Sequence, residues 1–383
     1  MSGLSPSKPN AHQIIRVFLC GDVMTGRGID QILPHPCNPE LHEDWVQSAS
    51  GYVRLAEQAH GRIPANVAPS YIWGAALDQL DRVHPDARVI NLETSITRSD
   101  AYIPKGINYR MSPENAECLL TAEIDCCVLG NNHVLDWDRS GLLETLATLE
   151  RLRIKSAGAG RNLVEASVPA VVEIEGKGRV IVFSLASVTS GVPRNWAATP
   201  KASGVTLLPD FTDETVKTVA DQVARVQQPG NLVIASIHWG PNWGYEISEE
   251  HRSFAHALID QAHVSVVHGH SSHHPKAIEI YKNQLILYGC GDFLNDYEGI
   301  RGYEEFRGDL TLMYFAGFNS LTGHLIDLEL VPLQMRRFQL VPASDADILW
   351  LQRTLNRESR RFGAQIKLKP DGRLTASSPE SVC

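Results

Sequence analysis

The sequence predicts an α/β fold of four layers, two stacked mixed sheets with helices outside (an αββα sandwich), and three observations carry that prediction. Six apolar runs end on polar residues, helical patterns lie between them, and turn signals join three strand pairs as hairpins. Residues 14–20 run into Gly21-Asp22, 88–91 into Leu92-Glu93, and 126–130 into Asn131-Asn132-His133. Residues 232–237 run into His238-Trp239-Gly240, 264–267 into His268-Gly269-His270-Ser271-Ser272-His273, and 285–289 into Gly291-Asp292. Strands that deliver carboxylate, amide and imidazole groups at their C-terminal ends build a site in the crevice where open α/β sheets bind ligands. Met six times in one chain, the pattern points to a metal-dependent active site.

The remaining elements follow in order. Residues 71–83 place Ile72, Ala76, Leu80 and Val83 on one helical stripe. Ser112 with Pro113 gives an N-cap and first-turn proline for a helix to about residue 123. Helices are predicted over 141–152, 213–226, 248–261 and 345–361 by apolar spacings of three and four. Gly176-Lys177-Gly178 and Lys282-Asn283 mark hairpins between 168–174 and 179–187 and between 277–281 and 284–288; a third spans 311–331 around 319–323. The segment 31–69, rich in Pro and His, is expected to be an ordered loop over the site. One domain is expected over 14–340, with a C-terminal helix in 341–364 packed on it, a disordered stretch at 1–13 and a frayed tail at 365–383.

Apolar residues make up 43% and charged residues 21%, an ordinary globular composition. The net charge of −9 and the lack of a basic cluster argue against nucleic acid as a partner. No run approaches the roughly 18 apolar residues of a membrane span. Residues 1–13 lack the apolar stretch of a signal peptide. The seven cysteines are odd in number and scattered, which fits buried thiols better than a disulfide framework. The expected location is the cytoplasm, with peripheral membrane association open.

The strings Gly-Asp-Val-Met-Thr-Gly-Arg-Gly (21–28), Asn-Leu-Glu-Thr (91–94), Asn-Asn-His-Val-Leu-Asp (131–136), His-Trp-Gly (238–240) and Gly-His-Ser-Ser-His (269–273) together resemble the CapA family. Its members are poly-γ-glutamate capsule proteins and polyglutamine-synthesis accessory proteins. The resemblance covers about 14–340 and implies a calcineurin-like metallophosphatase fold. Residues 30–36 and 267–292 look like the soluble polyglutamine accessory branch.

What the resemblance implies for single residues follows the same order. Asp22 fits a first metal-ligand carboxylate, or a cap on the next helix. The pattern wants His two residues on, where this chain has Met24. Glu93 takes the place of a bridging aspartate. Asn132-His133 matches a pair in which the amide oxygen binds metal and the imidazole handles a proton. Asp136 has the spacing to orient His133 or to cap the helix near Ser140. His238 and His270 complete a set with Glu93 and Asn132, whereas Ser272 stands where a further His is expected, with His273 one place later. One firm divalent cation is therefore expected (Mn, Fe, Zn, Mg or Ca), with a second weak or absent. Asp22 with His273, and His133 with Asp136, are expected to act as proton-handling pairs. His268 and Asp292 are expected behind the ligands. Arg27, Lys105 and Arg110 lie in adjoining loops and could grip a carboxylate or phosphate, while Trp239, Trp243 and Tyr245 could wall a pocket. The expected activity is hydrolysis or transfer at an amide or phosphoester in a polyglutamate or polyglutamine pathway, on a peptidic or polyglutamyl substrate. Cα epimerisation by the same pairs, or an accessory role within polymer-synthesis machinery, are the alternatives.

Overall fold

Alternation along the first strand shows how the layers arise. In the computed structural model, which describes residues 14–378, Ile14–Val23 is buried almost throughout. Val17 and Leu19 point between the sheets, against Val180, Val182, Ile234 and Val266. Phe18 and Cys20 point the other way, into a second core with Leu80, Leu119, Leu142 and Leu146. A strand with apolar neighbours on both faces needs a continuous apolar run rather than a polar face, and the sequence supplies one. The second sheet repeats the arrangement, with Ile181, Val233 and Ile237 packed outward on Val216, Val219, Phe254 and Leu258. Helix, sheet, sheet and helix form the four layers expected.

The ten-stranded sheet runs Gln365–Leu368, Leu374–Ser377, Leu325–Met335, Leu310–Asn319, Ile14–Val23, Ala87–Leu92, Cys126–Val128, Lys155–Ala157. Asp292–Leu294 pairs with Ile14–Val23 and Leu340–Pro342 with Leu325–Met335. The seven-stranded sheet runs Leu207–Leu208, Gly178–Ser187, Asn231–His238, Val266–His270, Gln284–Leu287, Ile278–Tyr281, with Ala170–Ile174 on Gly178–Ser187. Both sheets are mixed, because parallel crossovers are interrupted by three antiparallel hairpins. In the Ile278–Tyr281 hairpin, Lys282 (φ 50°) and Asn283 (φ 62°) both take left-handed backbone, the requirement of a type I′ turn.

Most helices lie within a few residues of their predicted spans, as in Asp138–Arg151, Asp213–Ala224, Glu249–Ala262 and Asp345–Arg360. Ser248 and Ser344 cap the last two, each side chain accepting from a backbone N–H three residues on. The helix expected from Ser112 is shorter, Glu117–Thr121, and follows a turn. Two regions differ from expectation. The segment 31–69 contains the helix Ala49–His60, whose Ala49, Tyr52 and Ala56 are buried at spacings of three and four. Residues 365–377 are no frayed tail: they form two strands that extend the first sheet, burying Ile366, Leu374 and Ala376. The disordered stretch expected at 1–13 lies outside the described residues. Six cysteines are buried free thiols. Among the described residues no helix is long and apolar enough to cross a membrane.

Candidate metal centre

Parallel pairing brings the strand ends together. Asp22 is in register with Asn91 on one neighbour and with Asp292 on the other. In the second sheet His238 is in register with His270. The first sheet thus delivers Asp22, Glu93, Asn132, His133 and Asp292, and the second delivers His238, His270 and His273. Asp22, Glu93, His238, His270 and Asp292 are all 2% exposed or less.

A chain of hydrogen bonds fixes which imidazole nitrogens are bare. The Cys20 carbonyl can only accept, so His268 Nε2, 2.7 Å away, carries the hydrogen and His268 Nδ1 is an acceptor. Ser236 Oγ, 3.0 Å from His268 Nδ1, donates to it and accepts from His270 Nε2 at 2.9 Å. His270 Nδ1 is thereby left as a lone pair. Asn132 Oδ1, 3.0 Å from His238 Nε2, accepts from it and leaves His238 Nδ1 bare in the same way. These two bare nitrogens face one another at 2.8 Å. Asp22 Oδ1 lies 4.0 Å from His270 Nδ1, and Glu93 Oε2 lies 3.8 Å from His238 Nδ1. Lone pairs and carboxylate oxygens converging in a buried space repel each other unless a cation sits among them. The donor set therefore fits a divalent cation with mixed N/O ligands.

Two groups of donors meet here: Asp22 with His238 and His270, and Asp22 with His273 and Asp292. Asp22 belongs to both. His273 pairs first with Asp292, its Nδ1 2.8 Å from Asp292 Oδ1, rather than with Asp22 as expected. Met24 and Ser272 do leave the ligand positions empty of imidazole: Met24 Sδ accepts from the Tyr297 hydroxyl, and Ser272 Oγ donates to the His274 carbonyl. His273 and Asp292 occupy the second group in their stead.

The electrostatics follow from crowding. Burial, and then Asp292, push the Asp22 carboxyl up to about 7. Burial, and then Asp22 and Asp292, push Glu93 well above the usual range. Burial holds His238 and His270 well below theirs, in the neutral form a metal ligand needs. His133 is drawn down to about 4, chiefly by burial and further by Lys105, against the pull of Asp136. Burial lowers His273 too, but Asp292 and Asp22 outweigh it and the net shift is upward.

Around this core the other expected residues divide. Asp136 Oδ2 lies 2.6 Å from His133 Nδ1 and also accepts from Tyr109 N at 2.6 Å, so it orients the imidazole and does not cap the helix. Lys105 Nζ lies 2.8 Å from Asp136 Oδ1 and 3.3 Å from His133 Nδ1, and its side chain is 20% exposed. His268 stands behind the ligands as the link to Cys20. Arg27 is no substrate grip: its guanidinium is buried, pairs with Glu43 (3.0 Å) and Asp296 (2.5 Å), and stacks on the rings of Tyr52 and Tyr109. Arg110 likewise donates to Ser99 O and Asn38 O, pairs with Asp100 and stacks on Trp137. Trp239 turns into the outer core of the second sheet, against His251, and donates to the Tyr288 carbonyl. Trp243 stays at the site, its ring 5.3 Å from that of His273, and Tyr245 packs on His274.

Several residues of the centre were not anticipated. Asn91 Nδ2 donates to both Asp22 Oδ1 (2.7 Å) and Glu93 Oε2 (2.9 Å), holding the two carboxylates together. Asn131 Nδ2 donates to Asn91 Oδ1, and its own oxygen accepts from the backbone of His133 and Val134. Tyr109 and Tyr297 share a 2.8 Å hydrogen bond, with Tyr109 edge-on to His133 and Tyr297 edge-on to His273. For Asn91 and Ser236 a signal was present: each is a small polar residue inside an otherwise apolar stretch of buried strand, two positions before a ligand and so on the same face.

Known proteins are similar to this sequence. The model of the bacterial capsule synthesis protein PGA_cap family matches residues 16–297. A probable polyglutamine synthesis accessory protein of Mycobacterium tuberculosis (strain ATCC 25618 / H37Rv) is 46% identical over 363 residues, covering 94% of this chain and 95% of its own. The PGA biosynthesis protein CapA of Bacillus subtilis (strain 168) is 23% identical over 370 residues, covering 96% and 83%. Among solved structures, a novel phosphatase from Mycoplasma pneumoniae aligns with a TM-score of 0.45 at 13% identity, covering 84% of this chain and 94% of its own. With the family's sequence pattern running through every strand end that builds the centre, the chain belongs to the bacterial capsule synthesis protein family, PGA_cap, to which its CapA-like motifs pointed.

Proposed function

We propose that this protein is a metal-dependent enzyme of polyglutamate or polyglutamine synthesis that hydrolyses or transfers at an amide or phosphoester bond. The observation that carries the reading is the pair of bare imidazole nitrogens, His238 Nδ1 and His270 Nδ1, facing each other at 2.8 Å beside two buried carboxylates. The pathway comes from the named relatives, one of them a polyglutamine synthesis accessory protein and one a PGA biosynthesis protein. His238, His270, Asp22 and Glu93 would hold one divalent cation, and His273, its Nδ1 on Asp292, is left for proton transfer. When bound, such a cation supplies Lewis acidity to a substrate oxygen and makes water acidic. The residues do the rest. His133 is neutral at physiological pH and its Nδ1–H is spent on Asp136, so its Nε2, 3.9 Å from Glu93 Oε1, is free to take a proton beside the ligands. His273, biased toward its charged form by Asp292, is suited to return a proton to a leaving group. Lys105, 2.8 Å from Asp136 Oδ1, holds that side chain in place.

The same two His–Asp pairs on different sides of the centre also suit removal and return of a proton at a Cα, which is the second reading. The protein purified without chelator is assayed for metal by elemental analysis, then on phosphoester reporters and on glutamyl and glutaminyl peptides in heavy water. Metal-dependent cleavage supports the hydrolase reading, and deuterium uptake at Cα without cleavage supports epimerisation. Protein that binds metal, turns over none of these and still supports polymer formation in cells after His133→Ala is an accessory component of the synthesis machinery.

A further inference from the structure

We infer that the cavity beside His273 is the subsite for the substrate segment next to the reacting bond, and that it takes neutral, amide-bearing (glutaminyl) chain in preference to carboxylate-bearing (glutamyl) chain. The placement of the reacting bond rests on the reading given under Proposed function; the cavity and its selectivity rest on the following geometry. The cavity measures about 380 Å³ and lies between Trp243 and the loop 295–309. That is ample for a short chain segment and falls in the ~300–1,000 Å³ range of ligand pockets. Three of its wall residues back directly onto the centre. The rings of Trp243 and Tyr297 lie 5.3 and 5.4 Å from that of His273, and Asn295 Nδ2 donates to Asp292 Oδ2 at 2.9 Å.

Its walls are largely apolar. Trp243 and Tyr303 stack at 4.1 Å with their planes 3° apart, forming a flat face, and Ile300 and Met335 add to it. Side-chain methylenes of a glutaminyl or glutamyl unit pack on such a face equally well. The charges decide between them. Glu298 is satisfied by the backbone of Arg337 (2.6 Å) and Phe338 (2.7 Å) and by His60 (2.6 Å). Arg307 is divided between Asp309 and Asp347, both at 2.8 Å. Arg301 also lines the cavity, exposed and offset by the equally exposed Glu304, so that among the described lining residues three carboxylates (Glu298, Glu304, Asp309) face two guanidinium groups (Arg301, Arg307). A carboxylate entering here would shed water facing Glu298, Glu304 and Asp309, whereas an amide loses far less. The chain's net charge of −9 works against a polyanion at longer range as well.

The test measures binding, not turnover, with the full chain and fluorescein-labelled tetraglutamine and tetraglutamate peptides read by polarisation. Tetraglutamine should bind at least about tenfold more tightly, and Tyr303→Ala should weaken it by about tenfold while leaving metal content unchanged. Glu304→Lys, at an exposed position that tolerates the change, should narrow the preference several-fold by drawing in tetraglutamate. Equal binding of the two peptides, tighter binding of tetraglutamate, no binding of either, or indifference to Tyr303→Ala would each overturn the subsite. Selective binding without any turnover counts against the hydrolase reading alone, and turnover without selectivity counts against the subsite alone.

Discussion

Arg27 separates two roles that its place in the motif cannot. If the guanidinium is an internal clamp, Arg27→Met leaves Asp296 (0% exposed) and Glu43 (7%) as buried anions without their cation. Breaking a buried pair by removing one partner costs about 3–5 kcal/mol. Here the lower end applies, since Asp296 still accepts from Gly28 N and Glu43 from the Tyr52 hydroxyl. At about 2.1 cal/mol/K per residue, unfolding 383 residues carries an entropy of about 0.8 kcal/mol/K, so a loss of about 3 kcal/mol lowers Tm by about 4 °C. Scanning calorimetry of the variant reads this directly. Arg27→Met with Asp296→Asn should recover part of the loss, because the second change removes one orphaned charge. A variant that melts within about 1 °C of the parent yet shows a strongly raised KM on its substrate would refute the clamp and restore Arg27 as a substrate contact.

His238→Ala or His270→Ala should drop metal content well below that of the parent and lower Tm, and unchanged metal in both variants would defeat the ligand assignment. His133→Ala should keep its metal and lose activity by ~10²-fold or more, the usual share of a general acid–base group. In chelator, Asp22→Asn should melt higher than the parent at pH 7.5. The folded-state pKa is raised to about 7 from 3.8, so the penalty of the buried charge is full above about 7 and is relieved as pH falls toward 3.8. The advantage of the variant should therefore shrink at pH 5, and an equal advantage at both pH values would rule out Asp22 as its source.

The strand ends were legible because a buried strand needs an unbroken apolar run, and any polar residue that ends one must have a reason to be there. That logic picks out Asp22, Glu93, His133, His238, His270 and His273 from the string alone. It failed where a side chain's partner is far away in sequence. Arg27 meets Asp296 from 269 positions off, and nothing local distinguishes a guanidinium aimed at an internal carboxylate from one aimed at a ligand. Trp239 and Trp243 look alike in the string, yet the first turns into the outer core and the second toward His273. Asn132 illustrates a subtler miss: the amide stands beside the centre but spends its oxygen on His238 Nε2, fixing a tautomer. The helix Ala49–His60 was hidden because small residues, Ala49 and Ala56, make up much of its buried stripe.

The donors come from both sheets: Asp22, Glu93 and Asp292 from one, His238, His270 and His273 from the other. Apart from apolar packing, the layers are tied at this point by a few hydrogen bonds: His268 on the Cys20 carbonyl, His238 on Asn132, His273 on Asp292 and Ser271 N on Asp22. An ion held here would act as a rivet through the seam, and removing it would let the layers slide or part along their apolar contact. Hydrogen exchange of the two inner strands, Ile14–Val23 and Asn231–His238, should then change from one cooperative opening to two separate ones on chelation. Metal occupancy would then set how firmly the two sheets move as one body.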